Sequence, residues 1–143
     1  MYESLTCFID KIDTTHAGKW EIDDKHKGTP EDPRTFPWVR YDEPVIQLTD
    51  AIYQFIEDHE DLNLRNYDYI LEKRGIKWDT KAMSDANADE LDGVTVLALL
   101  VGIVRAERFC DGILLKFLSN GSISKWLKRL KELDETGGNK NDA

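Results

Sequence analysis

From Val94 to Val104 the chain runs eleven residues without a charged side chain, and apolar character resumes at Ile113 to Leu115 after Arg105, Glu107, Arg108 and Asp111. The run is well below the roughly 18 to 20 residues that cross a bilayer, so it predicts the central helix of a soluble fold. The four charges that interrupt it need an explanation. Taking a carboxylate or guanidinium out of water costs several kcal/mol, about, even after relaxation, so these groups must pair, bind something or reach the surface.

A chain of 143 residues with 41% hydrophobic content is long enough for one core and short for two, which predicts a single globular domain over residues 1–134. The N-terminal MYESLTCFIDK has neither the basic n-region nor the apolar h-region of a secretory leader, so a cytoplasmic location is expected. The two cysteines, Cys7 and Cys110, have no spacing that suggests a disulfide framework or a thiolate metal site and are expected to be reduced. The net charge of −9 is unevenly spread: residues 1–92 carry 11 basic and 22 acidic side chains, residues 93–143 carry 8 and 6. That balance argues against general nucleic-acid binding, which needs a dense basic face, while an acidic body attracts a basic partner.

Along the chain, Leu5, Phe8, Ile9 and Ile12 recur at helical spacing and predict a first helix ending near Asp13. Residues 14–41 show no helical period, yet Trp20, Ile22, Phe36, Trp38, Val39 and Tyr41 are unlikely residues to leave in water. A small antiparallel two-stranded ribbon near residues 18–41, with strands at Lys19–Asp23 and Phe36–Tyr41, reconciles the two facts. A second helix is expected from an Asp42 cap, with Pro44 in its first turn, to about Asp58. A short third runs from Asn66 to Gly75, and Trp78 falls in a connector. Asn87 with Glu90 has capping spacing and is read as opening the long apolar helix. In the last helix Ile123, Trp126, Leu127, Leu130 and Leu133 face inward and Lys125, Lys128 and Arg129 outward. The tail 135–143 has nothing to bury and is expected to be disordered. The fold class is therefore mainly α: a bundle of about five helices with a small β ribbon.

If the helix continues through the cluster at roughly 100° per residue, Arg105, Glu107, Arg108 and Asp111 share one arc, with apolar residues before and after them on it. Three arrangements follow. Arg108 and Asp111 can close an internally neutral ion-pair network that docks neighbouring elements. The same charges can wall a ligand or partner pocket. Alternatively, the helix breaks at Asp111-Gly112, Asp111 caps a new one, and the charges are exposed.

Other sites are weaker. Cys110 as a nucleophile lacks a histidine nearby in sequence, and any acid and base pairing of Glu107 with Asp111 is opposed by the adjacent arginines. His16, His26 and His59 have none of the short spacings of zinc ligands, and no phosphate-binding glycine loop, serine elbow or HExxH helix is present, so no metal or cofactor is expected. Trp20, Trp38 and Tyr41 form a candidate aromatic surface, for which a satellite core under a long loop is the plainer reading.

The block VRAERFCDGILLKFLSNGSISKWLKRLKELD at residues 104–134, with GKWEIDDKHKGTPEDP and PWVRY earlier, resembles a bacterial family of domains of unknown function, the likeness covering most of residues 1–134. It implies no activity, cofactor or site residue. The expected function is a non-enzymatic cytoplasmic binding or adaptor protein whose acidic surface meets a basic protein partner. The alternative is a small enzyme or small-molecule sensor with its pocket at Arg105, Glu107, Arg108 and Asp111. Nothing in the sequence fixes the oligomeric state.

Overall fold

Helix α5 (Gly93–Ala106) buries every residue from Thr95 to Val104, because a helix that is apolar all round has no face to give to water. The structure is a computed structural model and describes residues 1–12, 16–33 and 37–136. Around α5 stand α2 (Glu43–Asp58), α3 (Tyr67–Lys73), α6 (Ile113–Ser119) and α7 (Ser122–Thr136), all in contact with it. The short helices α1 (Glu3–Thr6) and α4 (Thr80–Asp85) complete seven α-helices among the described residues. Strands β1 (Gly18–Glu21) and β2 (Trp38–Tyr41) form the antiparallel ribbon. None of the described helices is long and apolar enough to cross a membrane.

The mainly helical bundle with a ribbon is the architecture expected, with two more helices. One is α4, whose N-cap Asp79 accepts the Ala82 amide at 2.7 Å. The other arises because the central helix stops at Ala106 and restarts at Ile113. Its opening also differs from expectation. Asn87 caps only a 3-10 turn over Ala88–Glu90, and α5 starts at Gly93 behind Asp92, whose carboxylate accepts the Thr95 amide at 3.0 Å. Asp92 also pairs with Arg74 at 2.6 Å, which ties the end of α3 to the start of α5.

Helix α3 ends as its sequence predicts: Gly75 has φ +74°, the Ile76 amide donates to the Leu71 carbonyl and the Gly75 amide to that of Glu72, both at 3.0 Å. This pair of bonds satisfies two orphan carbonyls of the last turn. The first helix is shorter than expected, α1 passing into turns through Lys11, although Leu5 and Phe8 are buried as the spacing requires. Asp13, its expected end, and Phe36, the expected start of the second strand, lie outside the described residues.

Asp42 takes the N-cap position of α2 without a side-chain cap bond, its carboxylate meeting His16 Nδ1 at 3.1 Å instead. At the other end of the chain, Glu135 and Thr136 belong to α7, so the expected tail is helical there; residues 137–143 lie outside the described residues. The outward basic face of α7 also needs correction. Arg129, half-buried, donates from Nε to the Leu91 carbonyl at 3.0 Å, while Lys125 and Lys128 are exposed as expected, Lys125 Nζ also donating to the Ser84 carbonyl at 3.0 Å, so two cations fasten the segment ahead of α5. Ile22, expected under cover, is 69% exposed, since β1 ends at Glu21 before it.

Candidate functional site

The six residues between α5 and α6 hold three of the four charges, and this turn undoes the single arc that a continuous helix would give them. Gly112 has φ +96°, a conformation costly for residues with a Cβ, and from it the chain re-enters helix. Asp111 does not cap α6. Glu107 does so from five and seven residues upstream: its carboxylate accepts the Gly112 amide at 3.1 Å and the Leu114 amide at 2.9 Å. These amides are among the unsatisfied donors of a helix start, where a carboxylate is favoured by hydrogen bonding and by the helix dipole.

The ribbon docks onto the same turn. Its register pairs Gly18 with Tyr41, Lys19 with Arg40, Trp20 with Val39 and Glu21 with Trp38. Directly opposed residues share a face, so Trp20 and Tyr41 lie on one side of the ribbon and Trp38 on the other, beside the Arg40–Glu21 ion pair at 3.2 Å. The Tyr41 hydroxyl accepts the Leu115 amide at 3.0 Å. Burial, then the charge of Glu107 and a hydrogen bond to it, push the Tyr41 phenol far above its ordinary range. Trp20 covers Gly112 so closely that a Cβ there would lie 2.4 Å from the indole. The candidate aromatic residues Trp20, Trp38 and Tyr41 are thus divided between two faces, Trp20 being 45% and Trp38 42% exposed.

No ion pair among the described residues joins Arg105, Glu107, Arg108 and Asp111, which corrects the expected neutral network. The reason is the helix break, which leaves Arg105 in the last turn of α5, half-buried, and puts Arg108 and Asp111 in the exposed connector. Both guanidinium groups instead rest on tyrosine rings: Arg105 over Tyr67 at 5.8 Å from the centroid, Arg108 over Tyr53 at 5.9 Å. At these distances a cation is attracted by the face of the ring.

Two hollows open beside the arginines. A polar groove of about 380 Å³ is lined by Asp50, Tyr53, Glu57, Arg65, Arg105 and Arg108; in it Arg65 pairs with Glu57. An apolar cleft of about 340 Å³ is lined by Tyr67, Trp78, Met83, Ile103, Phe109 and, again, Arg105. Trp78 reaches this cleft because α5 carries a glycine where the ring lands: a Cβ on Gly102 would lie 2.6 Å from the indole. A further hollow that Trp78 also lines, about 650 Å³, is larger, but it is edged by Asp68, Glu72 and Lys77 and holds neither arginine. The arginine-lined pair is therefore the candidate site.

Along the chain, one family model matches, over residues 2–136: a family of unknown function, DUF6508. The chain belongs to this family. No curated protein and no solved structure matches it. Membership in DUF6508 brings no substrate or site residue, so in this DUF6508 chain the site rests on geometry alone.

Cys110 also lines the apolar cleft and is exposed, but no histidine stands among the lining residues to activate it. His59 is stacked on Phe55 with centroids 3.9 Å apart, and His26 Nδ1 lies 2.8 Å from Asp23. Among the described residues no group of three or more histidine, cysteine or acidic side chains is placed to hold a metal ion. Sequence reasoning missed Arg65, Tyr53 and Tyr67 as site residues. Tyr53 and Tyr67 stand at helical spacing, where aromatic residues usually belong to the core, so nothing in the sequence marks them out.

Proposed function

We propose that this protein is a binding protein whose site is the pair of hollows flanking Arg105, and that it recognises a small anion there. One observation carries the reading: in a chain of net charge −9, the guanidinium groups of Arg105 and Arg108 line one groove and neither has a carboxylate within ion-pairing distance among the described residues. Arginine presents a rigid fork of donors that matches a carboxylate or phosphate, and stacking on tyrosine holds that fork in place while leaving its N–H groups for a ligand. Glu107, one of the two carboxylates, with Asp111, that an enzymatic reading would use for proton transfer, is already committed to the Gly112 and Leu114 amides.

The test is a titration of the labelled protein with acetate and inorganic phosphate, followed by amide chemical shifts. Shifts concentrated at residues 53–57, 65–67 and 105–109, and abolished by Arg105→Met with Arg108→Met, are expected. Shifts gathered instead around Lys125 and Lys128 would overturn the assignment.

A second reading is favoured by the charge excess of residues 1–92, which carry twice as many acidic as basic side chains. It is an adaptor whose acidic surface meets a basic protein partner, and it predicts a co-purifying protein released by high salt. Failure to recover any salt-sensitive partner counts against it.

A further inference from the structure

The anion site proposed above leaves open what else the ligand carries, and the walls around Arg105 answer that. Arg105 lines both hollows, so a ligand charge held by it has the polar groove on one side and the apolar cleft on the other. The cleft has a floor of Met83 and Ile103, both buried. One wall is aromatic, Tyr67 and Trp78 standing with centroids 5.3 Å apart at 44°. Trp78 is backed by the α5 main chain at Gly102, yet 49% of it remains exposed.

Phe109, which also lines the cleft, is 91% exposed. A phenyl ring held open beside an apolar cleft has burial still to gain, and a planar apolar ligand supplies it. Among the described lining residues Arg105 is the one cation; the Asp79 carboxylate, also at the cleft, is engaged by the Ala82 amide. A hollow of about 340 Å³ lies at the small end of the range for small-molecule sites, which runs from roughly 300 to 1,000 Å³.

We propose that the cleft binds an aromatic carboxylic acid of one or two rings, the ring lying between Trp78 and Phe109 and the carboxylate facing Arg105. Aromatic rings prefer offset or edge-to-face neighbours with centroids 4.5–7 Å apart, roughly, and a guanidinium takes a carboxylate with two parallel bonds. The apolar body displaces water from Phe109 and Trp78, while the charge sits where the polar groove begins.

The experiment is calorimetric titration of the full chain with 2-naphthoate, its neutral isostere 2-naphthamide, and octanoate. 2-Naphthoate is expected to bind at least about tenfold more tightly than the amide, the loss expected when a charge-assisted bond is removed. Arg105→Met should erase that advantage, and Phe109→Ala, at a position too exposed to affect folding, should weaken 2-naphthoate several-fold. Octanoate binding as tightly as 2-naphthoate and indifferent to Phe109→Ala overturns the aromatic assignment and leaves the anion site standing. Binding of neither acid overturns the aromatic-acid proposal, and binding of both regardless of Arg105 overturns the anion site with it. If Arg105→Met fails to fold, the comparison of acid with amide on the unaltered protein decides.

Discussion

Glu107 accepts the backbone amide of Leu114 at 2.9 Å, so the first turn of α6 is capped by a side chain from the far side of the turn that interrupts the apolar core. Removing the cap leaves the Gly112 and Leu114 amides short of an acceptor and the turn without its closure. Loss of a helix cap costs about 0.5–2 kcal/mol. Glu107→Ala is expected near the top of that range, because Tyr41 loses its carboxylate neighbour as well. Glu107→Gln, which keeps an acceptor oxygen, should cost less. Urea unfolding of the three proteins checks the order, and an alanine variant as stable as the parent would remove Glu107 from this role.

Tyr41 makes the same junction sensitive to alkali. Its phenol is raised above the ordinary value of 10.0 by burial and by Glu107, so the folded state keeps its proton where the unfolded chain gives it up. The contribution to stability is complete below pH 10, roughly, and declines as the pH rises from there towards the folded-state value. Of five tyrosines, Tyr2 is also raised, by burial and then by Asp134 and Asp92. Absorbance titration of phenolate should therefore show a late fraction to which Tyr2 and Tyr41 contribute, and Tyr41→Phe should remove part of it. An unchanged late fraction in that variant would show that the Tyr41 phenol is not raised.

What could be read beforehand follows from the range of the forces involved. The eleven uncharged residues of Val94 to Val104 announce α5, and Gly75 announces the end of α3, because each acts within its own helix. The break after Ala106 was not legible by placing successive residues on an arc, since that construction assumes the helix it tests. Glu107 reaching Leu114 has no spacing rule behind it. Arg105 meeting Tyr67 joins residues on different helices, which no periodicity connects. One local signal was available: Gly102 costs about 1 kcal/mol inside a helix relative to alanine, and such a glycine in a run of Val, Leu and Ile asks for something packed against it. That something is Trp78.

Gly112 is held by two separate constraints, and they can be measured apart. Any other residue at φ +96° pays backbone strain of about 1–2 kcal/mol, and its Cβ would also strike the Trp20 indole at 2.4 Å. Gly112→Ala should therefore cost more in the parent than in a Trp20→Ala background, where only the strain of about 1–2 kcal/mol remains. Equal penalties in both backgrounds would mean that the ribbon does not bear on the turn.

Gly102 poses the opposite balance, because its φ is helical and its constraint is the neighbouring ring alone. A Cβ there would lie 2.6 and 2.8 Å from two atoms at the far end of the Trp78 indole and 3.2 Å from Tyr67. Alanine gains about 1 kcal/mol of helix propensity over glycine. Trp78 stands in a connector outside the helices and is half exposed, so its ring has room to move away. Gly102→Ala is accordingly expected to keep global stability within about 1 kcal/mol of the parent while driving Trp78 outward. Subtracting the fluorescence of the matching Trp78→Phe proteins isolates that residue from Trp20, Trp38 and Trp126, and its emission should shift to longer wavelength. A loss of several kcal/mol with the emission unmoved would place the rigid wall of the cleft in Trp78 rather than in α5.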